Sequence, residues 1–326
     1  MEEQSWLEQF GDRVTAVGRE MRSVWPQMEE TTLAPFYGML AYHLGWSDAE
    51  FRPAREKAGK MLRPLLCLLG CEAVGGDWTW ALPAAAAVEL LHNFTLIHDD
   101  IEDHSSLRRG RPTVWHLWGV PQAINAGDGL FTLARLALLR LRERGSPAEV
   151  VLQAVEVFDR TVLRICEGQY LDISFAGRLD VDERAYTEMI AAKTAALLET
   201  ALHLGALVGQ GGEEPTAALR AYGYSLGLAF QVQDDLLGVW GEESRTGKPA
   251  AADIVERKLG LPMVYAVAQA GPEDQALLAR VYRGAGSPSA DEIAAVLEVL
   301  ERVGARAYLE QVAARYHAQA LGALER

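Results

Sequence analysis

Four acids crowd five consecutive positions after an apolar run: Asp99, Asp100, Glu102 and Asp103 follow Glu89-Leu90-Leu91-His92-Asn93-Phe94-Thr95-Leu96-Ile97-His98. On a helix turning about 100° per residue, Asp103 lies about 40° from Asp99, and His92 falls within about 20° of it, two turns below. One face therefore carries two carboxylates and an imidazole. Carboxylates one turn apart repel by roughly a few tenths of a kcal/mol, and a shared cation is the natural compensation. Oxygen-only donors on a rigid helix suit Mg²⁺, which keeps waters and completes its shell with phosphate oxygens. A second apolar run closes the same way, at Phe230-Gln231-Val232-Gln233-Asp234-Asp235. Acids at a helix C-terminus oppose the macrodipole, so they are poor structural choices and reasonable ion holders.

Each acidic cluster is followed by a basic, glycine-containing segment: Arg108-Arg109-Gly110-Arg111-Pro112-Thr113 after the first, Thr246-Gly247-Lys248-Pro249 and Arg257-Lys258 after the second. Only five of the 31 basic residues are lysine, at 57, 60, 193, 248 and 258, so each surviving Lys invites a reason. A compact ammonium suits a phosphate oxygen in a site too crowded for a guanidinium fork. Gly59-Lys60-Met61-Leu62-Arg63-Pro64 adds Lys60 and Arg63 at i,i+3, and Lys193-Thr194 sits inside an Ala/Leu-rich helix. Two acidic rims and several cations can hold two polyphosphates over one apolar cavity, one through Mg²⁺ and one through Arg, Lys and His directly.

The elements that position these groups are helices. Apolar spacing of helical period recurs along the chain, and no alternating run is flanked by hairpin turns. The spacing predicts helices over about 3–24, 29–44, 61–74, 81–104, 120–143, 147–175, 182–209, 214–240, 251–270, 272–283, 289–302 and 304–324. Breaks such as Gly75-Gly76-Asp77, Gly110-Arg111-Pro112 and Gly211-Gly212 are too short to be interdomain linkers, so one all-α domain over 1–326 is the economical reading. A formal charge of −14 argues against a general nucleic-acid or anionic-membrane binder. No stretch reads as a membrane span or a secretory leader, and a cytoplasmic protein is expected. Cys67, Cys71 and Cys166 read as reduced core residues.

The motifs resemble, in order and over about residues 55–265, those of the trans-isoprenyl diphosphate synthase (polyprenyl synthetase) family. Asp99-Asp100-x-x-Asp103 with Arg108-Arg109 is similar to its first aspartate-rich motif, and Phe230-Gln231-x-x-Asp234-Asp235 to its second. Gly59-Lys60-x-x-Arg63-Pro64 resembles its isopentenyl-diphosphate grip; Gly168-Gln169-x-x-Asp172 and Lys193-Thr194 resemble its mid-chain motifs. The resemblance implies an isoprenoid-synthase-like helical bundle around a deep central apolar cavity, working as a homodimer. It implies Mg²⁺, three ions with bound diphosphate, held by Asp99, Asp103 and Asp234, with Asp100 and Asp235 assisting. It implies that Arg108, Lys193, Lys248 and Lys258 hold an allylic diphosphate and that Lys60, Arg63, His92 and Arg109 hold isopentenyl diphosphate. Thr194 and Gln231 then stand near a developing carbocation.

Three positions depart from the family pattern. Gly238 stands where a third Asp is common, leaving water or Glu242 to replace it; Met61 replaces a common Arg; Gly260 replaces a hydroxyl residue. Product length depends on the pocket floor. The face below the carboxylates passes Thr95, Leu91 and Val88, the last about 16 Å down at roughly 1.5 Å per residue. The resemblance stresses Thr95 and Phe94, and one aromatic at the latter position resembles a C20-forming subtype, so geranylgeranyl diphosphate is expected. On a simple wheel Phe94 lies about 140° from Asp99 and reads as core. The competing readings are a C15 farnesyl diphosphate synthase, a terpene cyclase of the same fold, a non-catalytic partner subunit suggested by Gly238, and a metal phosphohydrolase suggested by the His98-Asp99 doublet.

Overall fold

The computed structural model describes residues 2–26, 32–54, 59–241, 251–284 and 286–325, with side chains from residue 10 onward. The protein is all-α. Helices α1 (Glu2–Ser23), α2 (Ala34–His43), α3 (Leu62–Ala73), α4 (Leu82–Glu102), α5 (Val114–Trp118) and α6 (Val120–Leu139) are followed by α7 (Ala148–Phe175), α8 (Glu183–Ile190) and α9 (Ala196–Val208). Then come α10 (Glu213–Trp240), α11 (Ala252–Val255), α12 (Leu261–Gln269), α13 (Pro272–Tyr282), α14 (Ala290–Arg302) and α15 (Ala305–Leu324). Among the described residues the one paired sheet is a two-residue hairpin, Leu107–Arg108 (β1) against Arg111–Pro112 (β2).

The helices group into two compact units. Unit 1 comprises Met1–Phe158 and Thr200–Ala217, unit 2 Asp159–Glu199 and Ala218–Arg326. In unit 1, α4 is the central element. Pro83 starts it at a position where its missing N–H costs nothing. Leu82 through Leu91 are all buried, with Glu89 the one charged residue among them, so this stretch is enclosed on every side, as in a core helix. α4 packs against α6, and Ala84–Ala87 of the one and Ala123, Ala126 and Ala134 of the other are all fully buried. By length and composition alone, 78–102 and 183–208 would each suit a membrane, but 72% and 67% of their apolar windows are buried in the fold.

Unit 2 is organised around α10, whose Leu228, Val232, Leu236 and Val239 pack with Tyr186 of α8, Ile254 of α11, Leu261 and Val264 of α12, and Leu278 of α13. The predicted helix over 182–209 is continuous in outline, but a π-helical turn at Ala191–Ala195 interrupts it. Such turns widen a helix by one residue and recur at functional sites. Here Gly168 of α7 approaches so closely that a Cβ on it would lie 2.3 Å from the Lys193 backbone nitrogen. The predicted helix over 251–270 is broken in two. Arg257 turns the chain at φ 54°, Lys258 N–H donates back to the Asp253 carbonyl at 2.8 Å, and Pro262 restarts the helix. The reading of all three cysteines as core is corrected at Cys166, which is exposed; Cys67 and Cys71 are buried.

Because the Gly168 contact is with backbone, which moves little, Gly168→Ala should cost about 1–3 kcal/mol of stability by overpacking. Urea unfolding of the variant against the parent measures it.

Candidate active site

The first acidic cluster closes α4 in unit 1. Asp103 caps the helix, its N–H donating to the Asp99 carbonyl at 2.9 Å, and its side chain is exposed. Asp100 is turned inward and is only 1% exposed. The β1–β2 hairpin then folds Arg108 back across the helix end: Nε donates to Asp100 Oδ1 at 2.7 Å and Nη2 to Asp99 Oδ2 at 3.2 Å. Burial pushes the Asp100 carboxyl up to about 6, against the pull of Arg108 and with help from the charges of Asp99 and Asp103. Arg108 therefore serves as the counter-ion of the cluster. Removing it would strand a buried carboxylate, a loss of about 3–5 kcal/mol.

A second group lies two turns down α4, on the same unit. Arg63 Nη1 meets His92 Nε2 at 3.3 Å. Burial, then Arg63, Arg109, Arg108 and His43, hold His92 well below the usual imidazole range, so it is neutral at pH 7 and can accept from one neighbour while donating to another. Burial also lowers Arg63 and Arg109, opposed in both by Glu89. Arg63 Nε is buried without a hydrogen-bond partner. A desolvated guanidinium donor with nothing to bond is costly unless an anion arrives. Lys60 stands exposed on the loop before α3. Sequence reasoning missed three members of this group. Glu89 is 4% exposed and takes a 3.0 Å bond from Asn93 Nδ2. His43, at the end of α2, is driven down to about 3 by burial and by Arg109, Arg108 and Arg111, and shares a cavity of about 20 Å³ with Asp100 and those arginines.

In unit 2 the π turn presents Lys193 and Thr194 side by side. Lys193 Nζ donates to Asp172 Oδ2 at 2.5 Å, and Thr194 Oγ1 donates to Gln231 Oε1 at 2.7 Å. Gln231 Nε2 in turn donates to Asp235 Oδ1 at 3.1 Å. Asp235 also accepts from the Tyr186 hydroxyl and from Leu261 N–H at 2.8 Å, and is 1% exposed. Three donors engage both of its oxygens, so Asp235 anchors the helix end and Asp234, exposed beside it, is the ligand-ready acid. Lys258 is caught among Asp253, Asp235, Asp234 and Asp172, which outweigh burial and hold its ammonium above the usual range. Asp253 had no signal in the sequence pattern. Lys248 and Glu242 lie outside the described residues.

Of the pocket-floor candidates, Phe94 and Thr95 are half-buried while Leu91 and Val88 are fully buried. Thr95 Oγ1 donates to the His92 carbonyl at 2.8 Å. The Phe94 ring rests 5.4 Å from Phe131 of α6, which stacks 6.4 Å from Phe158 of α7. Among the described residues no three His, Cys, Asp or Glu side chains converge into a site that could hold an ion alone. Exposed carboxylates that offer oxygen and leave most of the shell open fit Mg²⁺, which takes the remainder from water and phosphate.

The polyprenyl synthetase family profile matches residues 48–300. The chain is 41% identical over 291 residues to a farnesyl diphosphate synthase of Mycobacterium tuberculosis, covering 88% of this chain and 79% of that one. It is 40% identical over 264 residues to a geranylgeranyl diphosphate synthase of the same organism, covering 81% and 74%. A solved geranylgeranyl pyrophosphate synthetase from Pyrococcus horikoshii superposes with a TM-score of 0.88 at 30% identity, covering 100% and 93%. A Corynebacterium glutamicum geranylgeranyl pyrophosphate synthase, solved with isoprenyl diphosphate and magnesium, superposes at 0.82 with 28% identity, covering 98% and 93%.

Arg109 and Gly110 form the hairpin turn with φ 54° and 77°, a left-handed pair in which Asn-Gly is favoured and Arg is strained. Arg109→Asn should therefore raise stability by about 1 kcal/mol while weakening inorganic pyrophosphate binding; calorimetry reads both. The raised Asp100 carboxyl also fixes a sign. A folded-state pKa above the unfolded one contributes stability that is present at low pH and lost as pH rises through about 6. In metal-free buffer the parent should lose stability relative to Asp100→Asn between pH 4 and pH 7, followed by thermal unfolding at each pH.

Proposed function

The chain belongs to the polyprenyl synthetase family and is a short-chain prenyl-transferring enzyme, and from that premise we propose that it joins an allylic diphosphate to isopentenyl diphosphate, stopping at C20 geranylgeranyl diphosphate. One observation carries the reading. On α4, a carboxylate cluster clamped by Arg108 stands two turns from a desolvated Arg63, His92 and Arg109 group whose Arg63 Nε has no partner. The first suits a metal-bound diphosphate, the second a diphosphate gripped directly by cations.

In this scheme Arg63, His92, Arg109 and Lys60 orient isopentenyl diphosphate. Asp99 and Asp103 in unit 1, and Asp234 in unit 2, would each offer oxygen to Mg²⁺, which when bound adds positive charge against the leaving diphosphate. Arg108, Lys193, Lys248 and Lys258 meet the charge that grows as the allylic C–O bond breaks and its electron pair leaves with pyrophosphate. The isopentenyl double bond attacks the allylic carbon to form the 1′-4 linkage, and the proton lost in closing the new double bond goes to the departing pyrophosphate. Thr194 and Gln231 place neutral oxygens near the cation without a nucleophile strong enough to trap it. Apolar walls exclude the water that would quench it. A homodimer in a reducing cytoplasm fits the family and the three cysteines, none of which is in a disulfide. A terpene cyclase would have no use for the second cation group.

C15 is the second reading, favoured by the farnesyl-named relative. The half-buried Phe94 supports the longer product, as one aromatic with Thr95 beside it leaves a partial block. Incubation with Mg²⁺, labelled isopentenyl diphosphate and the C5, C10 or C15 allylic diphosphate should give C20 product. Accumulation at C15 replaces the length, and no incorporation from any starter overturns the activity. Phe94→Ala should shift the distribution to longer chains on chromatography; an unchanged distribution removes Phe94 from the floor.

A further inference from the structure

His98 precedes the first carboxylate on α4 and takes no part in either charged group described on that helix. It follows Phe94 by four residues, so the two side chains share one face, and that face packs on α6. The imidazole stands over Gly127 of α6, where a Cβ would lie 2.4 Å from both Cδ2 and Nε2 of the ring. No side chain fits at 127 while the ring stays where it is. The ring's Nε2 is buried without a hydrogen-bond partner, 3.7 Å from Asp128 Oδ1. His98 is therefore held by packing between two helices.

What the imidazole packs against is Phe94. Their ring centroids are 4.8 Å apart with the planes at 63°, an edge-to-face contact. Phe131 lies one turn beyond Gly127 on the same face of α6, its ring 5.4 Å from that of Phe94 and backed at 6.4 Å by Phe158 of α7. The Phe94 ring is thus confined along its own helix by His98 and across from it by Phe131. A ring walled in this way keeps one rotamer, and taking away a wall opens a second.

We propose that His98 sets product length by pinning Phe94, with Gly127 as the notch in α6 that admits the imidazole; this rests on the prenyl-transfer reading above and on Phe94 as part of the floor. His98 is a positioning residue. It acts on the growing chain through the Phe94 ring, by shape alone. Without the imidazole, that ring swings along α4 into the space left behind, the partial block is lost, and chains grow past the parent length.

Product chromatography after incubation with Mg²⁺, labelled isopentenyl diphosphate and the C10 allylic diphosphate tests this, because a ratio of products does not depend on how much of a variant is folded. His98→Ala should raise the ratio of longer to parent-length product about tenfold, the discrimination that a methylene's worth of space carries in an apolar site. His98→Ser, equally short, should shift it the same way. Adding Gly127→Ala to His98→Ala should return the ratio most of the way, because with the imidazole gone the new methyl meets Phe94 Cδ2 at 3.5 Å and supports the ring from the opposite helix. In a Phe94→Ala background, His98→Ala should change nothing further. A parent-like ratio in His98→Ala and His98→Ser, no return with Gly127→Ala, or an undiminished effect of His98→Ala in the Phe94→Ala background overturns the proposal alone. An unchanged distribution in Phe94→Ala overturns the floor assignment and the proposal together, and no incorporation by the parent from any starter overturns the prenyl-transfer reading with them.

Discussion

Charge gathered where water is scarce has to be compensated before any substrate arrives, and this one requirement organises the chain's functional elements. Asp99 and Asp100 close a helix whose body is buried on all sides, and the macrodipole of that helix works against them. The compensation is Arg108, brought across by a hairpin of two residues a strand. In unit 2 the arrangement is inverted: Lys258 is the enclosed charge, and Asp253, Asp235, Asp234 and Asp172 surround it. Lys193 is likewise held by Asp172. Each group is poised, because its present partners are protein charges that an incoming diphosphate or divalent ion can share.

This poise explains which side chains are structural and which are available. Asp235 has spent its oxygens on Tyr186, Gln231 and the α12 backbone, and it fixes the end of α10 so that Asp234 is offered outward. His92 is kept neutral by burial amid arginines, a state in which it bonds to Arg63 without adding to the positive charge. Glu89 and Asn93 sit beneath the arginines as a buried polar floor, which limits how far that cluster can relax when empty. Under the proposed prenyl transfer the chemistry asked of these residues is modest: none has to abstract a proton from carbon, because the leaving pyrophosphate can accept it.

Periodicity made the helices legible, and the spacing of Asp99, Asp103 and His92 made one face of α4 legible, because both depend only on local geometry. The hairpin at Leu107–Arg108 and Arg111–Pro112 was not, since its strands are too short to alternate. Nor was the π turn at Ala191–Ala195, which adds a residue to an otherwise regular helical pattern and is set by the approach of Gly168. The break after Val255 was hidden by continuous apolar spacing, although Gly260-Leu261-Pro262 carries a restart signal. His43, Glu89 and Asp253 escaped because their roles come from contacts between segments far apart in the chain.

The proposed reaction begins with a diphosphate and Mg²⁺ meeting at the carboxylates that close α4. The direct test is to titrate a non-reactive allylic thiodiphosphate into the parent and into Asp103→Asn, with and without Mg²⁺. The predicted result is binding that depends on Mg²⁺ in the parent and is weakened by Asp103→Asn. Equal affinity in the two proteins, or binding indifferent to Mg²⁺, would contradict it.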